Sequence, residues 1–193
     1  KDKKFLDLEK GSIVGTSSFR REYQLRNIRS DLNYNLIRGN VDTRIKKLKN
    51  NEYDAIILSK AGIEALNLQN KITEEFEVEK LIPCAGQGII AIQCKDNDDY
   101  ILDLLEKIND TETRIIANTE REVLKILEGD CDTAIGVFAK LNNENIELAA
   151  ELFSVDGKMR YFIKENTIKK NYMSLAKKIA EDLKNDSKGS YKR

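Results

Sequence analysis

Along the first third of the chain, apolar residues fall in short runs broken by turn residues. Ser12-Ile13-Val14-Gly15, positions 34–37 and Asp54-Ala55-Ile56-Ile57-Leu58 each read as a brief buried strand. Between them the apolar spacing is helical, over 19–28, over 41–48 and again just after Ala61-Gly62. Thr16-Ser17-Ser18 precedes the first helix, and a hydroxyl there can accept from the free N–H groups of a first turn. Arg38-Gly39-Asn40 precedes the second. The order β-α-β-α-β-α with short turns predicts an α/β unit with a mostly parallel sheet covered by helices.

The pattern changes at Pro83, the only proline, which opens Cys84-Ala85-Gly86-Gln87-Gly88. Two glycines around Gln87 predict a tight turn or crossover. Positions 88–94 are apolar and predict a strand. Positions 98–108 predict an acidic amphipathic helix, and 111–127 a longer one whose capping box would draw on Thr111, Glu112, Thr113 and Arg114. Glu128-Gly129-Asp130-Cys131-Asp132 reads as a loop. Strand-like runs at 134–141, 146–153 and 159–164 follow, joined by turns at Asn142-Asn143 and Asp156-Gly157, the second a hairpin signal. Positions 175–183 predict a last helix, and the polar tail 184–193 is expected to fray. This half reads as a small α+β domain built from a three-stranded antiparallel sheet with helices. No internal repeat is visible.

Charge sharpens this picture. Of the 193 residues, 34% are charged, yet the formal net charge is zero, which argues against a nucleic-acid partner. Six of the ten arginines (Arg20, Arg21, Arg26, Arg29, Arg38 and Arg44) fall between positions 20 and 44. Arginine suits forked recognition of carboxylate or phosphate. Arg26 and Arg29 read equally well as a solvated helix face. Arg20, Arg21, Arg38 and Arg44 stand at strand-to-helix turns, where ligands of such sheets bind and where helix N-termini favour anions. With the hydroxyls of Thr16, Ser17 and Ser18, the two turns predict a basic cleft for an anionic ligand.

Other chemistry is narrowed by what the chain contains. With no histidine, His-dependent triads are outside its own repertoire, and three cysteines without CxxC spacing make neither a zinc site nor a disulfide framework. A reducing, cytoplasmic compartment is expected. No stretch approaches the roughly 18 apolar residues of a membrane span, and Lys1-Asp2-Lys3-Lys4 is neither signal nor anchor, so no membrane partner is expected. The absence of an initiator Met reads as a fragment or a processed form. Cys94, closing an apolar run, reads as a small core residue, and Cys84 as either exposed or packed. Cys131 lies in a loop between Asp130 and Asp132, whose charges would raise a thiol pKa and so weigh against a freely reactive thiolate.

Five blocks carry a resemblance. Val14-Gly15-Thr16-Ser17-Ser18-Phe19-Arg20-Arg21 resembles VGTSSLRR, and Arg38-Gly39-Asn40-Val41-Asp42-Thr43-Arg44 resembles RGNVxTR. Glu52-Tyr53-Asp54-Ala55-Ile56-Ile57-Leu58 with Ala61-Gly62 resembles EYDAIILAxAG. Ala85-Gly86-Gln87-Gly88 is similar to VGQG, and Glu128-Gly129-Asp130-Cys131 with Ile135-Gly136 to EGGCxxPIG. These are signatures of the porphobilinogen deaminase (hydroxymethylbilane synthase) family, in that family's order and spacing.

The resemblance implies a transferase of heme (porphyrin) biosynthesis that joins four porphobilinogen molecules head to tail into hydroxymethylbilane, releasing ammonia each time. It implies a dipyrromethane cofactor held covalently by Cys131. Ser18, Arg20, Arg21, Arg38 and Arg44 match residues that bind cofactor and substrate carboxylates, with Thr16, Ser17, Gly39 and Asn40 shaping the same turns. By the family pattern, residues 1–87 resemble the second domain, with a type II periplasmic-binding-protein-like fold. Residues 88–109 resemble the return segment of the first domain, and 110–193 resemble the cysteine-bearing third. The first domain supplies the family's catalytic aspartate, so no catalytic residue is assigned in this chain. The chain alone is expected not to turn over, with a separate chain supplying that domain as a conceivable partner. Two departures stand out: Ile63-Glu64-Ala65-Leu66 lacks the family's basic residue, and Asp130 and Ala134 replace a glycine and a proline. The competing readings are a non-catalytic anion-binding module of periplasmic-receptor-like fold and a non-catalytic remnant of the deaminase.

Overall fold

The computed structural model describes residues 3–130 and 132–192. Its first half is organised around β1 (Ile13–Thr16), the central strand of a parallel sheet of order β2-β1-β3. β2 (Asn33–Leu36) pairs along the whole of β1, from Ile13 opposite Asn33 to Thr16 opposite Leu36. β3 is only Ala55–Ile56, opposite Val14 and Gly15. Gly15 is small for a reason. A Cβ on it would lie 2.8 Å from the Tyr53 ring and 3.1 Å from Ile56 Cγ2, so a side chain would force the segment carrying β3 away.

The helices α1 (Phe19–Ile28), α2 (Val41–Lys49) and the short α3 (Lys60–Glu64) follow their strands as the sequence pattern predicts. Val14, Leu25, Leu32 and Tyr34 close a core with Phe5 and Leu8 from the N-terminal segment. Each fully buried aliphatic side chain contributes about 1.5–3 kcal/mol. Arg29 ties that segment down by donating to the carbonyls of Leu6 and Leu8, both at 2.8 Å, while pairing with Asp31 at 2.7 Å.

The second half has α4 (Asp99–Ile108), α5 (Thr111–Leu127), an antiparallel sheet of order β4-β5-β6 (Ile135–Asn142, Asn145–Phe153, Arg160–Ile168) and α6 (Tyr172–Ser187). Ile146, Leu148, Ala150 and Leu152 alternate along the central strand β5 and meet Val123 and Leu127 of α5 and Ile179 and Leu183 of α6. Period-two burial on the strand against heptad-like burial on the helices makes this a sheet with one face covered.

Four details depart from the sequence pattern. Residues 88–94 form no strand: Ile90 is 90% exposed and Ile92 60%. A strand needs a partner for its backbone, and none of the described residues supplies one. Cys94 is therefore half-buried in an irregular segment rather than in a core. The N-cap of α5 is Asp110, whose carboxylate accepts from Thr113 N–H at 2.7 Å, in place of the threonine capping box. The tail does not fray by 184. α6 runs to Ser187 and ends on the left-handed Lys188, and Tyr191 folds back, buried, to donate to Leu127 O at 3.2 Å.

The two halves touch through α1 and the 82–88 crossover. Tyr23 donates to Val155 O at 2.9 Å and sets its ring 5.8 Å from that of Phe153. Val137 N–H, at the free edge of β4, donates to Pro83 O at 2.8 Å. No helix among the described residues is long and apolar enough to cross a membrane.

Candidate functional site

The two arginine-bearing strand-to-helix turns of the parallel sheet, those of β1–α1 and β2–α2, open at its carboxyl edge. In the first, Thr16 is buried and its hydroxyl accepts from Ser18 N–H at 3.3 Å. Ser18 is the N-cap of α1, and its hydroxyl accepts from Arg21 N–H at 3.4 Å. In the second, Asn40 caps α2 by accepting from both the N–H (2.9 Å) and the hydroxyl (2.8 Å) of Thr43. Gly39 stands at φ +118°, and a Cβ on it would lie 2.7 Å from Thr43 Cγ2, so that cap geometry demands glycine.

Arg44 joins the two turns. Its Nε donates to Gly39 O at 2.7 Å and its Nη1 to Ser17 Oγ at 3.1 Å. Arg21 reaches Ile57 O at 3.5 Å, at the end of the third strand, and Arg44 is close enough to oppose its charge. Burial pushes the Arg21 pKa down, with the neighbouring Arg44 adding to the effect. Two guanidiniums confined beside one another without a carboxylate between them favour an incoming anion. Arg38 is exposed at the mouth; its carbonyl accepts from Lys47 Nζ at 3.4 Å, and its guanidinium has no partner among the described residues.

Arg20 behaves differently. It is 7% exposed and turned toward the crossover, donating through Nη1 to Ile82 O at 2.5 Å and through Nη2 to Gln87 Oε1 at 3.2 Å. Burial lowers its pKa too, with Arg21 working in the same direction. Its two crossover contacts are to neutral oxygens, and the buried Glu151 carboxylate is close enough to offset part of its charge. Cys84 is exposed, at the start of the same turn. The structure thus brings Thr16, Ser17, Ser18, Arg21, Gly39, Asn40 and Arg44 into one cluster, places Arg38 at its rim and sets Arg20 between cluster and crossover.

Cys131 lies outside the described residues. Of its neighbours, Asp130 Oδ1 accepts from the N–H of Asp132 (3.0 Å) and from the N–H (2.9 Å) and hydroxyl (2.6 Å) of Thr133. These bonds, the Thr133 hydroxyl first, hold the Asp130 carboxyl below its ordinary range. The aspartate that replaces a family glycine is therefore a turn-forming residue with its charge engaged inside its own loop. A hollow of about 230 Å³ lies beside this loop, lined by Glu128, Asp130 and Asp132 together with Tyr23, Tyr191 and Lys192, which pairs with Glu128. Three carboxylates against a single lysine make it a poor seat for a polyanion, whereas the arginine turns suit one. At the other departure from the family pattern, Glu64 lies on α3 at 3.9 Å from Lys60, which also pairs with Glu75 at 2.7 Å.

Two residues at this site escape a reading of motifs. Gln24 of α1 donates to Ile82 O at 2.8 Å, alongside Arg20. Glu120 of α5 is 4% exposed and accepts from Gly86 N–H and Ala139 N–H. Its signal in the sequence is position: with Val123 and Leu127 it follows the i, i+3, i+7 spacing of the buried face of α5.

The family model described as "Porphobilinogen deaminase, dipyromethane cofactor binding domain" matches residues 1–103, and "Porphobilinogen deaminase, C-terminal domain" matches 115–185. A porphobilinogen deaminase of Francisella tularensis subsp. novicida (strain U112) is 42% identical over 177 residues, covering 92% of this chain and 58% of that protein. One of Francisella tularensis subsp. tularensis (strain WY96-3418) is 41% identical over the same span. The chain thus spans less than two thirds of the length of these relatives.

Proposed function

We propose that this chain, which belongs to the porphobilinogen deaminase family, serves as the cofactor- and substrate-holding part of a hydroxymethylbilane synthase. Its N-terminal region is a dipyrromethane cofactor binding domain of that family. The reaction is the head-to-tail condensation of four porphobilinogen molecules into hydroxymethylbilane, one ammonia leaving for each new carbon–carbon bond. Dipyrromethane, attached through Cys131, supplies the anchored pyrrole from which the chain grows.

The observation that carries this reading is the Arg44 bridge between the two capped turns. Every pyrrole of the growing chain carries an acetate and a propionate, so the bound ligand is a row of carboxylates. Two helix N-termini with adjacent guanidiniums meet that charge with fixed donors. In this reading Arg21, Arg38 and Arg44 bind side-chain carboxylates, and Arg20 contributes from beside the crossover. Ser18, Thr16, Ser17, Gly39 and Asn40 hold the turns in shape. Each charged hydrogen bond to a partly desolvated carboxylate contributes about 1.5–3 kcal/mol.

In domain terms, we assign residues 1–87 to the binding domain, 88–109 to a return segment of a further domain and 110–193 to the cysteine-bearing domain. The acid that stabilises positive charge on the reacting pyrrole has no residue assigned in this chain. Turnover therefore belongs to this chain together with the part of the relatives' length it does not span, whichever polypeptide carries that part.

The test is the intact mass of the purified chain beside a Cys131→Ala variant. A mass increase of two linked pyrrole units, absent from the variant, is the expected result. An increase that persists in the variant would overturn the assignment of Cys131. Failure of the chain to take up either dipyrromethane or porphobilinogen would favour an anion-binding module without catalysis.

A further inference from the structure

The 82–88 crossover is gripped from both sides. From α1, Arg20 and Gln24 both donate to Ile82 O, and Arg20 also donates to Gln87 Oε1. From the other half, Val137 N–H donates to Pro83 O, and Glu120 Oε2 accepts from Gly86 N–H at 2.7 Å. The second oxygen of Glu120 accepts from Ala139 N–H of β4 at 2.9 Å. One buried carboxylate thus fixes Gly86 to the sheet of the cysteine-bearing half. Gly86 stands at φ +73° beside Gln87, and Gln87 Oε1 accepts from Arg20 Nη2 and from Cys84 N–H at 3.4 Å.

We propose that Glu120 is a positioning residue for the anion site: by anchoring Gly86 it sets Gln87, and Gln87 sets the guanidinium of Arg20. The inference rests on the porphobilinogen-binding role proposed above and names a residue outside the arginine turns that the role depends on. At least two of the five N–H donors of Arg20 are engaged by the crossover and the buried Glu151 carboxylate offsets part of its charge, so its remaining donors meet a ligand carboxylate only in the orientation the crossover sets. A guanidinium with its plane fixed loses less rotational freedom on binding than a free one, so affinity follows the precision of the anchor. Only a carboxylate can do the anchoring. Glu120 accepts at both oxygens, whereas an isosteric glutamine has one acceptor and turns its NH2 toward the other N–H, donor against donor.

The experiment compares wild type, Glu120→Gln, Gln87→Ala and the double variant by calorimetric titration with porphobilinogen. The Arg20 Nε–H resonance is followed in each by NMR. Each single variant is expected to bind about tenfold more weakly with the Arg20 resonance displaced, and the double variant no more weakly than the worse single, because both act on one path. Wild-type affinity in Glu120→Gln, or losses that add in the double variant, would overturn the proposal. If wild type itself binds no porphobilinogen, the functional reading fails. The positioning claim then stands or falls on the Arg20 resonance, displaced in Glu120→Gln or unmoved. Should Glu120→Gln not fold, Glu120→Asp, which keeps the charge and shortens the arm by one methylene, is read in the same way.

Discussion

Arg44 reaches two oxygens in two different turns because its guanidinium is a planar fork; an ammonium is a single point. Arg44→Lys keeps the charge and loses the span. We expect porphobilinogen affinity to fall at least about tenfold, the loss of one charge-assisted contact. Thermal unfolding should hardly move, because the caps at Ser18 and Asn40 remain. Calorimetry and a melting curve on the same samples decide it, and unchanged affinity would remove Arg44 from the site. Gly39→Ala works in the opposite manner, through the backbone. A Cβ at φ +118° and 2.7 Å from Thr43 should cost about 1–3 kcal/mol of stability, visible as a lowered urea midpoint, and should distort the second turn. These turns could be read in advance because a capping side chain and its glycine are local features, carried by a few consecutive residues. Arg20 could not be read in the same way. Its partners, Ile82 and Gln87, lie 62 and 67 positions away, and nothing in the arginine cluster distinguishes a guanidinium facing a ligand from one turned toward a crossover. Glu120 was hidden for the same reason, since its partners are backbone N–H groups that leave no mark in sequence.

At the scale of elements, periodicity served wherever an element had a neighbour to pack on. α1 and α5 begin and end where the apolar spacing puts them, and β4 and β5 lie within a residue or so of their alternating runs. Residues 88–94 show the limit. Three isoleucines within seven positions carry strand propensity, but a strand is a pairing, and pairing is a property of the surroundings. The adjoining α4 is amphipathic yet buries no residue, with Tyr100 73% and Ile108 65% exposed. From Ile90 to Cys94 no backbone N–H has a partner among the described residues. Amide hydrogen exchange should therefore be fast across these positions and slow by several orders of magnitude in β5, whose two sides are both paired. Protection at 90–94 comparable to β5 would mean that this segment is paired in solution. The tail departs from its pattern for the reverse reason. Composition marks 184–193 as polar, but one tyrosine, Tyr191, is enough to dock it on the end of α5.

For the molecule as a whole, the two halves meet through buried polar groups as well as through the ring contact of Tyr23 with Phe153, and this gives stability a particular pH dependence. Glu151 of β5 is fully buried; one oxygen accepts from Arg160 Nε at 2.9 Å, and the other has no hydrogen-bond partner among the described residues. Burial raises its pKa above the ordinary 4.5, against the pull of Arg160 and, more weakly, of Arg20. Glu120 is raised by burial as well, against its two backbone hydrogen bonds. A carboxyl whose folded pKa is raised stabilises the fold fully below its unfolded pKa, and that contribution is lost as pH rises through the folded value. Exposed carboxylates held low, such as Asp31 and Asp156, act with the opposite sign, so the pH profile of the wild type alone is a mixture. Glu151→Gln removes a single titration from that mixture. Between neutral pH and about 4.5, the wild type should gain stability relative to this variant as pH falls, with a slope no steeper than about 1.4 kcal/mol per pH unit for one proton. Urea midpoints of the pair at pH 7, 6 and 5 provide the measurement. A difference that stays constant across that range would mean that Glu151 titrates as an ordinary carboxyl, and that the β5 oxygen left without a protein partner is solvated in solution.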